Sequence, residues 1–212
     1  PASPRLTRPI PRLVLAPGGH TRPQAVFVAV STGGPKALDT LLPELCQQVE
    51  LPILVVQHFP PGFTQFLAEN LQRHCPHQVV EASDGERVQP RHVYIAPIGK
   101  HLLVRRGADG QVLTALNEQP PENGFRPSAD VLFRAAATVY GAAAVALVLT
   151  GMGSDGSAGL GPLKRAGAHV IAQDEASSVV WGMPSSAVAT GLVDEVLPLE
   201  RIPEAIAGLL KS

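Results

Sequence analysis

Beyond residue 24 the chain alternates between short, continuous apolar runs and amphipathic stretches of helical length. AVFVAV (25–30), LPILVV (51–56) and the strand predicted over 144–149 are apolar at every position, the pattern of strands covered by helices on both faces. Between them the spacing predicts helices from Pro35 to about Gln48 and from about Gly62 to Arg73, and VVEAS and HVYIAP predict two more strands. HLLVRRGADGQVLTAL (101–116) reads as two strands around Gly107-Ala108-Asp109-Gly110, a turn signal that adds an antiparallel flap or edge. A helix is expected to start at Ser128, its hydroxyl capping free amides and Asp130 facing the positive end of the dipole, and to end near Gly141. A helix after Ala158, strand 168–172, a helix near 185–190, strand 192–196 and a terminal helix 200–211 complete the alternation. The expected fold is α/β: three-layer α/β/α, a doubly wound, mostly parallel sheet with an antiparallel hairpin or edge.

Composition narrows the class. Residues 1–23 hold six prolines with interspersed arginines, which cannot build a core, so they are expected to be an interdomain linker or tail, with one folded domain over 24–212. Lys and Arg number 17 against 18 Asp and Glu, so no global field points to nucleic acid or to an anionic membrane. Every apolar run is far shorter than the roughly 20 residues that span a bilayer, and residues 1–13 lack a secretory signal pattern. Two cysteines, Cys46 and Cys75, are then expected to be free thiols in the cytoplasm.

The candidate chemistry lies at the ends of three strands. Ser31-Thr32-Gly33-Gly34, Gln57-His58 and Gly151-Met152-Gly153-Ser154-Asp155-Gly156 each follow an apolar run, and in a parallel sheet such ends share one rim. Ser31 sits at a sharp strand-to-helix turn with Pro35 in the first helical turn, the geometry of an exposed nucleophile. His58, before Phe59-Pro60-Pro61, is the base, and Asp155 in its glycine loop orients the imidazole. The amides of Thr32 and Met152 are the candidate oxyanion donors. These parts make a serine hydrolase acting on an acyl carbon. The competing readings are an anion cradle made of the same glycine turns, which would need only backbone amides, and a catalytically silent partner-binding domain.

Other clusters weigh less. A metal in the Asp155 loop would lack carboxylate ligands from the other two turns, and His74, Cys75 and His77 read as a solvated patch rather than zinc ligands, so no metal and no cofactor are expected. Arg126, Ser128 and Asp130 read as a helix cap with a supporting or substrate-edge role; Trp181, Met183 and Pro184 suit either the cleft lining or the core.

VSTGGPKAL, VVQHFPPGFT, DGERVQPRHVYIAP, RPSADVLF, LTGMGSDGSAGL and AQDEASSVVWGMP, in this order over roughly residues 25–190, closely resemble the catalytic domain of the chemotaxis-receptor protein-glutamate methylesterases (CheB). The resemblance places that family's triad on Ser31, His58 and Asp155 and its oxyanion methionine on Met152. It implies hydrolysis of γ-glutamyl methyl esters on the cytoplasmic helices of methyl-accepting chemotaxis receptors, often with deamidation of receptor glutamines. It also implies an upstream receiver domain as a partner, without nucleic acid or membrane insertion. Two positions depart from the family's usual Gly-Ala before the serine and Asn beside the aspartate: Ala29-Val30, where the bulkier Val30 is expected to narrow the approach to the nucleophile, and Ser154.

Overall fold

A computed structural model of the chain describes residues 21–60 and 62–211. All but the last three residues of the expected linker 1–23 lie outside the described residues.

Among the described residues nine strands and six α-helices follow in the order β1 (Ala25–Val30), α1 (Gly34–Gln48), β2 (Ile53–Gln57), α2 (Thr64–Gln72), β3 (Gln78–Glu81), β4 (His92–Ile95), β5 (His101–Arg106), β6 (Val112–Asn117), α3 (Ala129–Val139), β7 (Ala144–Val148), α4 (Leu160–Arg165), β8 (His169–Gln173), α5 (Gly182–Ala189), β9 (Glu195–Leu197) and α6 (Ile202–Leu209). Seven strands form one sheet in the order β3-β4-β2-β1-β7-β8-β9. Every pairing in that sheet is parallel. The expected antiparallel hairpin forms but joins neither edge: β5 and β6 make a separate two-stranded sheet.

The wholly apolar run of β1 is explained by its central place. Val26, Val28 and Val30 pack under α1 and α6, in one core with Leu38, Leu41, Val55, Leu147 and Ile206. Ala25, Phe27 and Ala29 face the other way, into a second core with Leu102, Leu132, Phe133 and Val148. Alternate side chains thus feed two layers, the period-two consequence of strand geometry. Val30 therefore points into the first core, fully buried, and does not narrow the approach to Ser31.

The strand order reverses at β1: from it the chain builds outward through β2 in one direction and, later, through β7 in the other. The crevice at the carboxyl ends of β1 and β7 is the switch point at which open α/β sheets bind ligands. Residues 31 and 150–152 stand at that crevice, and residue 58 follows the adjacent β2.

Candidate active site

Backbone hydrogen bonds hold the three turns at one level. The Ser31 amide donates to the Thr150 carbonyl (3.0 Å) and the His58 amide to the Val30 carbonyl (3.2 Å). Gly151 packs so closely that a Cβ there would lie 2.8 Å from the Ser31 Cβ and 2.4 Å from the Met183 Sδ. Only glycine lets this loop approach the serine turn.

His58 and Asp155 are joined directly, Nε2 to Oδ2 at 2.8 Å, with the His58 side chain 8% exposed and that of Asp155 fully buried. Asp155 has four further donors. Its Oδ1 accepts from the Ser128 hydroxyl (2.7 Å) and the amides of Asp130 (3.2 Å) and Gly156 (3.1 Å), and its Oδ2 from the amide of Ala129 (2.7 Å). Burial would raise this carboxyl, but hydrogen bonds from His58, Ser128 and Ala129 more than offset it and hold Asp155 below the ordinary carboxylate range. Ionised Asp155 only accepts, so His58 Nε2 carries the proton and Nδ1 presents its lone pair. Nδ1 is buried and has no hydrogen-bond partner among the described residues.

Ser31 shares this rim, yet among the described residues no hydrogen bond links its hydroxyl to either nitrogen of His58. The expected serine–histidine link is open, while the histidine–aspartate link is closed. The amides of Thr32 and Met152 make no hydrogen bonds among the described residues and so remain free to donate to a ligand; the Met152 side chain is 63% exposed.

The expected helix cap is rearranged. The Ser128 hydroxyl does not cap its own helix; it is spent on Asp155, whose carboxylate, from a loop 27 residues further on, receives the first amides of α3. Asp130 does stand in the first turn of α3, at the positive end of the dipole. It is fully buried, its Oδ1 accepting from the Gly159 amide (2.7 Å) and its Oδ2 from Asn123 (3.1 Å). Burial pushes its carboxyl up to about 6 against the pull of the Gly159 amide, and the Asp155 charge adds to the rise.

Several residues around the site were not assigned this role by sequence reasoning. Gln57, buried at the end of β2, donates through Nε2 to the carbonyls of both Ser31 and His58 (2.9 Å each). Phe125 stacks on the His58 ring, with centroids 3.9 Å apart and planes 5° from parallel. Thr150 donates to the Thr32 carbonyl (2.9 Å), and its own amide is held by buried Gln173 at the end of β8 (2.8 Å). A buried amide side chain closing an otherwise apolar strand is the sequence signal for Gln57 and Gln173. Phe125, in a loop, gives none.

Met183 and Pro184 are buried, and Met183 packs under Gly151, so they brace the loop rather than line an open cleft. Trp181 is half-buried, bridged to Gly151 and tied by its indole N–H to the Gln173 carbonyl (3.1 Å). The expected solvated patch at His74, Cys75 and His77 is instead largely buried: His77 and Cys75 are 1% and 5% exposed. Among the described residues no group of three His, Cys, Asp or Glu side chains is placed to hold a metal ion.

The fold and this rim define a three-layer α/β domain whose site stands at the switch point of a parallel sheet. The CheB methylesterase family model matches residues 26–206, and the chain belongs to that family. It is 45% identical over 189 residues to a protein-glutamate methylesterase/protein-glutamine glutaminase of Desulfotalea psychrophila, covering 89% of this chain and 52% of that one. A protein of the same name from Pectobacterium atrosepticum is 49% identical over 188 residues, 88% of this chain and 53% of that one. The chain thus spans about half the length of these relatives. The crystal structure of the Thermotoga maritima CheB methylesterase catalytic domain superposes with a TM-score of 0.85 at 42% identity, covering 89% of this chain and all of that one.

Proposed function

We propose that residues 24–212 are the catalytic domain of a protein-glutamate methylesterase that hydrolyses γ-glutamyl methyl esters on chemotaxis receptors, with Ser31, His58 and Asp155 as its triad. The observation that carries this reading is the His58–Asp155 pair, whose second imidazole nitrogen is left with a free lone pair on the rim that bears Ser31. His58 Nδ1 takes the proton of the Ser31 hydroxyl as Oγ attacks the ester carbonyl. Asp155 favours the imidazolium that forms. The same Nδ1 then returns the proton to the departing methoxide, and water repeats the cycle on the acyl-serine to release glutamate. A receptor glutamine would lose ammonia by the same route, the second activity in the relatives' names. The tetrahedral oxyanion is held by the amides of Thr32 and Met152, each worth about 3 kcal/mol in the transition state.

Exposed apolar side chains support a protein substrate rather than a small ester. Met152 and Val179 stand beside the Ser31 turn, and Phe63 and Phe66 lie at the start of α2, beyond His58. Such groups suit the flank of a receptor helix presented in the cytoplasm. Among the described residues no helix is long and apolar enough to cross a membrane. The proline-rich composition of residues 1–23, with the greater length of the relatives, supports a linker to a further domain; on this reading that domain is an upstream receiver, and its unphosphorylated form covers the rim.

Methanol release from receptor cytoplasmic fragments carrying γ-glutamyl methyl esters tests the reading. The chain alone is expected to release methanol without a phosphoryl donor, and faster than an unphosphorylated longer form. A folded chain that releases none would refute the esterase assignment. An isolated domain slower than the unphosphorylated longer form would refute occlusion by the receiver.

A further inference from the structure

The chain has two cysteines, and the esterase reading gives neither a role. Although they are 29 residues apart in sequence, they meet in the core: Cys46 in the last turn of α1 and Cys75 just beyond α2, both buried free thiols with their sulfurs 3.0 Å apart. A disulfide requires about 2.05 Å. The remaining approach, about 1 Å, is within the reach of a side-chain rotation.

The thiols share one hydrogen bond, and they are not equivalent. That bond, with burial, raises the Cys46 thiol, whereas it lowers the Cys75 thiol against the effect of burial, and the His77 backbone favours the thiolate of either. The geometry that matters is common to both: once either sulfur is oxidised, the other already lies 3.0 Å away. Each βα unit runs out along its strand to the catalytic rim and back along its helix, so the helix ends lie at the opposite rim from Ser31 and His58.

We propose that Cys46 and Cys75 are a reversible oxidation site that closes an intramolecular disulfide on exposure to hydrogen peroxide, clamping the βα unit that carries Ser31 to the unit that carries His58. One of the two sulfurs attacks a peroxide oxygen, the O–O bond breaks, and that cysteine becomes a sulfenic acid while hydroxide leaves and is protonated. The other sulfur then displaces the sulfenic oxygen as water, forming the S–S bond. Two thiols lose two electrons, and the peroxide is reduced to two waters. A dithiol reverses the bond by exchange. Because the clamp lies at the far rim, it stabilises the domain and leaves the chemistry alone.

Intact-mass measurement of the domain before and after hydrogen peroxide tests this directly, since no third cysteine can contribute. The monomer is expected to lose two hydrogens, to regain them with dithiothreitol, and in the oxidised form to melt about 5–10 °C higher. Its methanol release should stay within about twofold. Cys75→Ser and Cys46→Ser should each abolish both the mass loss and the shift; if either fails to fold, the wild-type mass alone decides. Addition of oxygen to the wild type without loss of hydrogen, or a disulfide found only between two chains, overturns the proposal. So does a disulfide that forms but abolishes esterase turnover, because the clamp would then reach the catalytic rim.

Discussion

Asp155 serves two partners at once. It fixes His58 Nε2, and it fills the amino end of α3 through Ser128, Ala129 and Asp130, so catalysis and a helix terminus depend on one carboxylate. Asp155→Asn should therefore lower methanol release by about 10³–10⁴-fold through loss of the oriented tautomer. It should also cost about 1–3 kcal/mol of stability in denaturant titration, since an amide cannot accept every one of those donors. Unchanged stability would show that α3 does not need the carboxylate. The three chemical side chains were legible in the sequence because each directly follows an apolar run. Their supports were not: Ser128 reads locally as a cap for its own helix, and only the chain's return through residues 151–156 shows that its hydroxyl is claimed elsewhere.

At the scale of elements, the site is a set of strand ends locked by their neighbours. Strand positions follow from apolar runs, and the sequence boundaries agree with the structure within about three residues. The attachment of the hairpin does not follow, because β5 and β6 satisfy each other's backbone groups and carry no signal for the main sheet. Nor does local sequence show why Gly151 must be glycine; the reason is the approach of Ser31 and of Met183 from 32 residues away. Gly151→Ala should push the loop off both, with a loss of about 1–3 kcal/mol in stability and a fall in kcat larger than any change in KM. If kcat is unaffected, the loop does not set the position of the serine turn.

For the whole molecule, the two neighbouring carboxyls of the site divide the acid response. Asp130 titrates near 6 when folded against 3.8 in a free side chain, so the unfolded chain gives up that proton first and stability falls as pH rises between about 4 and 6. Asp155, held low, acts in the opposite sense: its contribution is complete above 3.8 and is lost as pH falls through its folded value. Asp130→Asn keeps an acceptor for Gly159 and should flatten the decline between pH 4 and 6, a difference of order 2 kcal/mol from the wild type in urea titrations. Parallel slopes would mean that Asp130 ionises normally. The central claim, that Ser31, His58 and Asp155 act as one nucleophilic unit, is tested most directly by methanol release from methylated receptor fragments with Ser31→Ala, His58→Ala and the double variant. The account predicts a loss of at least about 10³-fold for each single variant, almost no further loss in the double, and stability of Ser31→Ala within about 0.5 kcal/mol of wild type. A folded Ser31→Ala that keeps most of its turnover, or single losses that multiply in the double variant, would contradict it.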